Sequence, residues 1–159
     1  MQTYLIKSYL VNNLRILPLK RNKEEVTLSK VIDPIIELGG FRTIDPKIVE
    51  EEFDALTGDS IYPIEIDRCL KNNGEPLVFI QCKQLGSKHR FKDDYNKTFK
   101  AAKLRCIPWV IFTDGEIWEF YKLGSLDFEK NQSINLRYDQ SQYLEVVDIL
   151  QNIKKVTYG

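Results

Sequence analysis

The spacing of apolar and polar positions changes period several times along the chain, and each change marks an element. Residues 1–20, which include TYLIKSYLVNNLRILPL, read as a helix ended by Pro18. A second helix is predicted over 24–38, where Val31, Ile35 and Leu38 recur at helical spacing beside Leu28 and Ile32. Pro34 should kink it or make Val31-Ile32 a local bend, and Gly39-Gly40 should stop it. Residues 45–60 are polar, with a weak helical pattern through Ile48, Phe53 and Leu56. The period then becomes two. In YPIEIDRCL (62–70), Ile64 and Ile66 alternate with Glu65 and Asp67, which predicts a strand.

The turn signal Lys71-Asn72-Asn73-Gly74 and a second apolar strand over 77–83 make this a hairpin. Residues 88–105 predict a long basic helix with Phe91, Tyr95, Phe99 and Ala102 on its inner face. IPWVIFT (107–113), an Asp114-Gly115 turn and EIWEFYK (116–122) predict a second hairpin. A closing amphipathic helix is predicted over 141–153, with Leu144, Val147 and Leu150 on one side. No internal repeat or low-complexity linker interrupts this order. Helix, strand pair, helix, strand pair describes an α/β fold with a mixed central sheet of about four to five strands flanked by helices.

Length and composition narrow the class. The 159 residues fit one domain, 1–159, with a core at about 23–122. A content of 43% apolar and 29% charged residues is that of a globular chain, and no apolar run approaches a membrane span. The first residues lack the apolar stretch of a signal peptide, so a cytoplasmic location is expected. Cys69, Cys82 and Cys106 are an odd number in mostly apolar surroundings and read as reduced, buried thiols. No Cys/His spacing suits zinc.

Net charge is zero, yet the charges are sorted. Eight acidic residues lie between Asp45 and Asp67 against one Lys47; eight basic ones lie between Lys83 and Arg105 against Asp93 and Asp94. A metal-dependent enzyme acting on a polyanion needs such neighbouring zones, and a sorted solvated surface produces them too.

The candidate chemistry sits in VFIQCKQLG (78–86). Alternation puts Phe79, Gln81 and Lys83 on one face, and Val78, Ile80 and Cys82 on a core face. A turn at Asn73-Gly74 pairs residues whose numbers sum to about 147, which brings Asp67 opposite Ile80–Gln81. The Asp67 carboxylate, the Gln81 amide oxygen and the Cys82 backbone carbonyl are hard oxygen ligands suited to Mg²⁺ or Mn²⁺, and Glu24 could join them from the helix. Lys83 could stabilise charge developing on a phosphate. Read by spacing alone, Gln81 and Lys83 are also ordinary solvent-facing positions at a strand end.

At these residues the chain resembles the PD-(D/E)XK nuclease superfamily, and within it the N-terminal nuclease domain of type I restriction enzyme motor subunits and its stand-alone relatives. EEVTLSKVIDPII (24–36), YPIEIDRCLKNNGEPLVFIQCKQLG (62–86), the basic helix and IPWVIFTDGEIWEFYK (107–122) look like four family stretches in the family's order. The resemblance implies a restriction-endonuclease-like core. It implies that Asp67, Gln81, Lys83 and Glu24 are catalytic, with Asp67, Gln81, the Cys82 carbonyl and Glu24 at a Mg²⁺ or Mn²⁺ ion.

Gln81 stands where most members have Glu. Tyr95 and Phe99 stand where the family often has Gln-x-x-x-Tyr, and Leu28 where it has Arg. The implied activity is hydrolysis of DNA phosphodiester bonds, in restriction, defence or a mobile element. Lys88, Arg90, Lys97 and Lys100 are the candidate backbone contacts, with Lys92 and Lys103 after them. Expected partners are DNA, with RNA open, a motor or specificity subunit on another chain, and a second copy in a homodimer. No membrane partner is expected. A catalytically inactive module of the same fold, binding nucleic acid or a partner protein as a regulatory or assembly subunit, is the alternative. His89 reads as a bystander, and Trp109 and Trp118 as packing.

Overall fold

The computed structural model describes residues 2–17, 23–58, 60–85, 91–92 and 94–156. Its centre is one six-stranded sheet in sequential order: β1 (Val49–Ala55), β2 (Ile64–Asn72), β3 (Glu75–Cys82), β4 (Trp109–Thr113), β5 (Ile117–Leu123) and β6 (Phe128–Asn135). Every neighbouring pair is antiparallel except β3 and β4, which run parallel. Parallel neighbours need a crossover, and α4 (Tyr95–Leu104) supplies it. The C-terminal ends of β1, β3 and β4 and the start of β2 therefore lie at one end of the sheet. No helix among the described residues is long and apolar enough to cross a membrane.

Helices cover both faces. On one face α1 (Gln2–Ile16), the helical stretch 24–38 and α5 (Tyr143–Val156) pack through Leu10, Val31, Ile35 and Leu150 against Val78, Ile80, Ile111 and Trp118. On the other, α4 packs Ala101 and Ala102 with Phe91 against Ile66, Phe79, Val110 and Phe112. Strand β3 is thus buried on both sides, which is why VFIQC is so apolar. The expectation that only Val78, Ile80 and Cys82 face a core is corrected: Phe79 and Gln81 are covered too, Gln81 being 8% exposed.

The stretch 24–38 is helical throughout but changes pitch. It comprises α2 (Glu24–Thr27), a π-helical turn (Leu28–Ile32) and α3 (Asp33–Leu38). Pro34 has no N–H to return to the carbonyl four residues back, at Lys30. That carbonyl instead accepts from Asn13 Nδ2 of α1 at 3.0 Å. The expected kink is thus a widened turn.

Three further expectations are corrected. Residues 49–55 form a strand, not a helix. Val49 packs on one face while Phe53 and Ala55 pack on the other, so period two breaks at Glu52, whose φ is 51°. Strand β6 was not expected at all: it is an edge strand, exposed but for Ile134 and half-buried Phe128, and so carries no apolar alternation. Cys106 is exposed, whereas Cys69 and Cys82 are buried. The Asn73-Gly74 turn is as expected, with both residues at positive φ (51° and 81°), as a tight type I′ hairpin requires. Trp118 is fully buried and Trp109 packs on the same core.

Candidate active site

Asp67 owes its position to an irregularity in β2. The β1–β2 ladder pairs Glu51 with Arg68 and Phe53 with Ile66, and skips Glu52 and Asp67 between them. Ile66 packs toward α4, whereas Leu70 packs toward the opposite core and Arg68 reaches Asp33 of α3. The strand therefore changes faces at Asp67. Its N–H, released from the ladder, donates to Gln81 Oε1 at 3.3 Å. Its carboxylate Oδ2 accepts from the Cys82 N–H at 2.7 Å. The register brings Asp67 opposite Gln81, since Arg68 pairs with Ile80.

The Gln81 side chain is spent on the protein itself. Oε1 holds the Asp67 backbone, and Nε2 donates to the Glu65 carbonyl at 3.1 Å and to Thr98 Oγ1 on α4 at 3.3 Å. Its amide is thus directed at backbone and at α4, not at the Asp67 carboxylate beside the Cys82 backbone. Lys83 follows β3; its N–H donates to the Thr113 carbonyl at 3.0 Å. Its ammonium pairs with Asp94 Oδ2, at the start of α4, at 2.7 Å, and both side chains remain about a quarter exposed.

Glu24 opens α2. Helix and sheet end are joined where the Leu85 N–H donates to Thr27 Oγ1 at 3.1 Å. The Thr27 methyl also lies where a side chain on Gly115 would begin, 2.9 Å from that Cβ position.

These groups share one electrostatic field. Burial pushes the Asp67 carboxyl up to about 6; the Cys82 N–H opposes this, Glu24 adds to it, and Lys83 and Arg68 oppose it. Glu24 is also raised, first by burial; Lys83 pulls it down, while Glu25, Asp94 and Glu65 push it up. For Lys83 burial acts downward, but the Asp94 hydrogen bond and charge, with Glu24 and Asp67, outweigh it and hold the ammonium above its ordinary range.

Both carboxyls are raised first by burial, and Glu24 adds to the rise at Asp67, so a divalent cation there would offset that repulsion. Among the described residues no three His, Cys, Asp or Glu side chains gather closely enough to hold a metal. Asp67 and Glu24 offer hard carboxylate oxygens, the donor type of Mg²⁺ and Mn²⁺, ions that keep water and substrate oxygens beside one or two carboxylates.

Of the candidate phosphate contacts, Lys88 and Arg90 lie outside the described residues, as does His89. Lys97 and Lys100 are exposed on α4, as is Lys92 just before it. Lys103 pairs with Asp127 at 2.9 Å. Tyr95 and Phe99 turn inward and pack with Phe112 and Tyr121; the Tyr95 hydroxyl donates to the buried Glu119. Sequence reasoning missed Asp94, Thr98, and the pair Asp33–Arg68, in which Arg68 Nε and Nη2 donate to Asp33 Oδ1 and Oδ2 at 2.9 and 3.1 Å. No local signal in the sequence ties Arg68 to a residue 35 positions away.

No protein family model matches the sequence, and no curated protein matches it. Among solved structures the chain is similar to the type IIG restriction endonuclease BpuSI, with a TM-score of 0.54 and 17% identity, over 86% of this chain and 17% of that one. The chain thus matches about a sixth of that protein's length. The mixed sheet with its flanking helices is a restriction-endonuclease-like fold.

Proposed function

We propose that this chain is a metal-dependent nuclease domain that hydrolyses DNA phosphodiester bonds. The observation that carries the reading is the Asp67 carboxylate, desolvated, held by the Cys82 N–H and flanked by Glu24 and Lys83 where β2 changes faces. Asp67, Glu24 and the Cys82 carbonyl would hold Mg²⁺ or Mn²⁺. Such an ion, when bound, polarises the phosphoryl oxygens and makes water a better nucleophile. Lys83 meets the negative charge that grows on the phosphate, and Asp94 keeps its ammonium charged and oriented. Gln81 acts through the Asp67 backbone as a positioning group. Lys97 and Lys100, with Lys88 and Arg90, take the DNA backbone. A motor or specificity subunit of a restriction or defence system and a second copy of the chain are the proposed protein partners.

One observation favours a second reading, an inactive nucleic-acid-binding module: Lys83 and Gln81 are both already engaged within the protein. Incubating the protein with supercoiled DNA, linear DNA and RNA in Mg²⁺ or Mn²⁺, with binding followed in parallel by anisotropy, separates the two. The nuclease reading expects metal-dependent cleavage of DNA. DNA that is bound yet intact in both metals establishes the binding module instead.

A further inference from the structure

We infer that the part-buried ion pair Asp33–Arg68 is the positioning device of the site, setting where Glu24 and Asp67 stand relative to one another. The inference rests on the metal-site reading above. One guanidinium makes three bonds. Nε and Nη2 grip both oxygens of Asp33 in a fork, while Nη1 donates to the carbonyl of Asp67 itself at 2.7 Å. The backbone of the residue that carries the central carboxylate is thereby tied to the helical stretch that begins at Glu24. The Arg68 side chain is 9% exposed and that of Asp33 18%.

Two irregularities make this contact, and they are the two that shape the site. The face change at Asp67 sends Arg68 toward the helix instead of toward α4. The π turn over Leu28–Ile32 holds one more residue per hydrogen-bonded turn than an α-helix, which rotates everything after it by roughly 100° about the axis. That rotation lets Thr27 meet Leu85 at one end of the stretch while Asp33 meets Arg68 further along. An apolar pair would fill the same space with equal or greater stability, so what this fork adds is a fixed register between the two elements.

The test compares wild type with Arg68→Met, Arg68→Lys, Asp33→Asn and the double variant Asp33→Asn/Arg68→Met. Two readouts are used: Mn²⁺ affinity by electron paramagnetic resonance, and the NMR shift of the Cys82 amide proton, which reports the Asp67 carboxylate it bonds without any metal. Expected is a ~10- to 100-fold loss of Mn²⁺ affinity in Arg68→Met and in Asp33→Asn, as for other groups that orient ligands. Arg68→Lys, which keeps the charge and loses the fork, falls between and preserves the comparison if Arg68→Met does not fold. The double variant loses no more than either single one, because the two residues act as a unit. The Cys82 amide moves in every variant. A wild type that binds no Mn²⁺ overturns the metal reading, and the Cys82 amide then still decides whether the pair positions Asp67. An unmoved Cys82 amide, unchanged Mn²⁺ affinity in a folded variant, or additive losses in the double variant overturn the inference.

Discussion

At Asp67 a carboxylate stands partly out of water beside other carboxylates, and that placement has a measurable sign. Its pKa rises from 3.8 to about 6, so the folded state binds the proton more tightly than the unfolded state. The associated stability is fully present below about pH 4 and is lost as pH rises through about 6, by at most ~3 kcal/mol. Asp67→Asn should flatten this part of the metal-free stability profile measured by urea unfolding at a series of pH values. Mg²⁺ should restore wild-type stability at pH 7.5 and leave the variant unchanged. A wild-type curve that parallels the variant's from pH 4 to 7 contradicts the assigned environment.

Gln81 has a different signature. Gln81→Leu leaves the Asp67 N–H and the Glu65 carbonyl without their partner, so a loss of about 2 kcal/mol or more in unfolding free energy is expected. A change within a few tenths of that unit would show the amide to be dispensable. The sequence placed Gln81 beside Asp67 correctly through the Asn-Gly turn. It could not show which way the amide points, because that depends on Thr98 of α4 and on the change of faces at Asp67.

Among the elements, those with strong internal periodicity were the legible ones. Strands β2 to β5 and helix α5 follow from alternation, turn residues and helical spacing, except that Leu144, expected on the inner side of α5, is exposed while Val146 and Val147 face the core. Strand β1 looks like a weak helix in the sequence because its apolar residues divide between two cores, and β6 gives no signal because an exposed edge needs no apolar face. The join between α2 and the β4–β5 turn was invisible for another reason: it depends on a glycine whose role is to leave room. Gly115 has a φ of +87°, and a Cβ there would stand 2.8 Å from Leu85 Cδ1 and 2.9 Å from Thr27 Cγ2. Gly115→Ala should therefore cost about 1–3 kcal/mol and loosen α2 from the sheet end. Thermal unfolding and hydrogen exchange at the Leu85 amide check this; unchanged protection at Leu85 would show that the approach is not tight.

Across the whole molecule, the sheet gathers the ends of β1, β3 and β4 and the start of β2 at one end, and α4 presents its lysines on the face above. Only Glu65 and Asp67 of the sequence's acidic stretch meet Glu24 and Asp94 in the field of the site; the exposed Lys97 and Lys100 lie on α4. If Lys97 contacts a phosphate, Lys97→Ala should reduce the slope of log K against log salt for DNA binding by ~0.9, measured in Ca²⁺. An unchanged slope would remove Lys97 from the interface. We propose that Asp67 and Lys83 together form a working phosphodiester site. The most direct measurement is nicking of supercoiled plasmid in Mn²⁺ by wild type, Asp67→Ala and Lys83→Ala side by side. Wild type should give nicked and linear product that chelator abolishes, and neither variant should give any above background. Intact plasmid with wild type, or equal nicking by all three proteins, would contradict it.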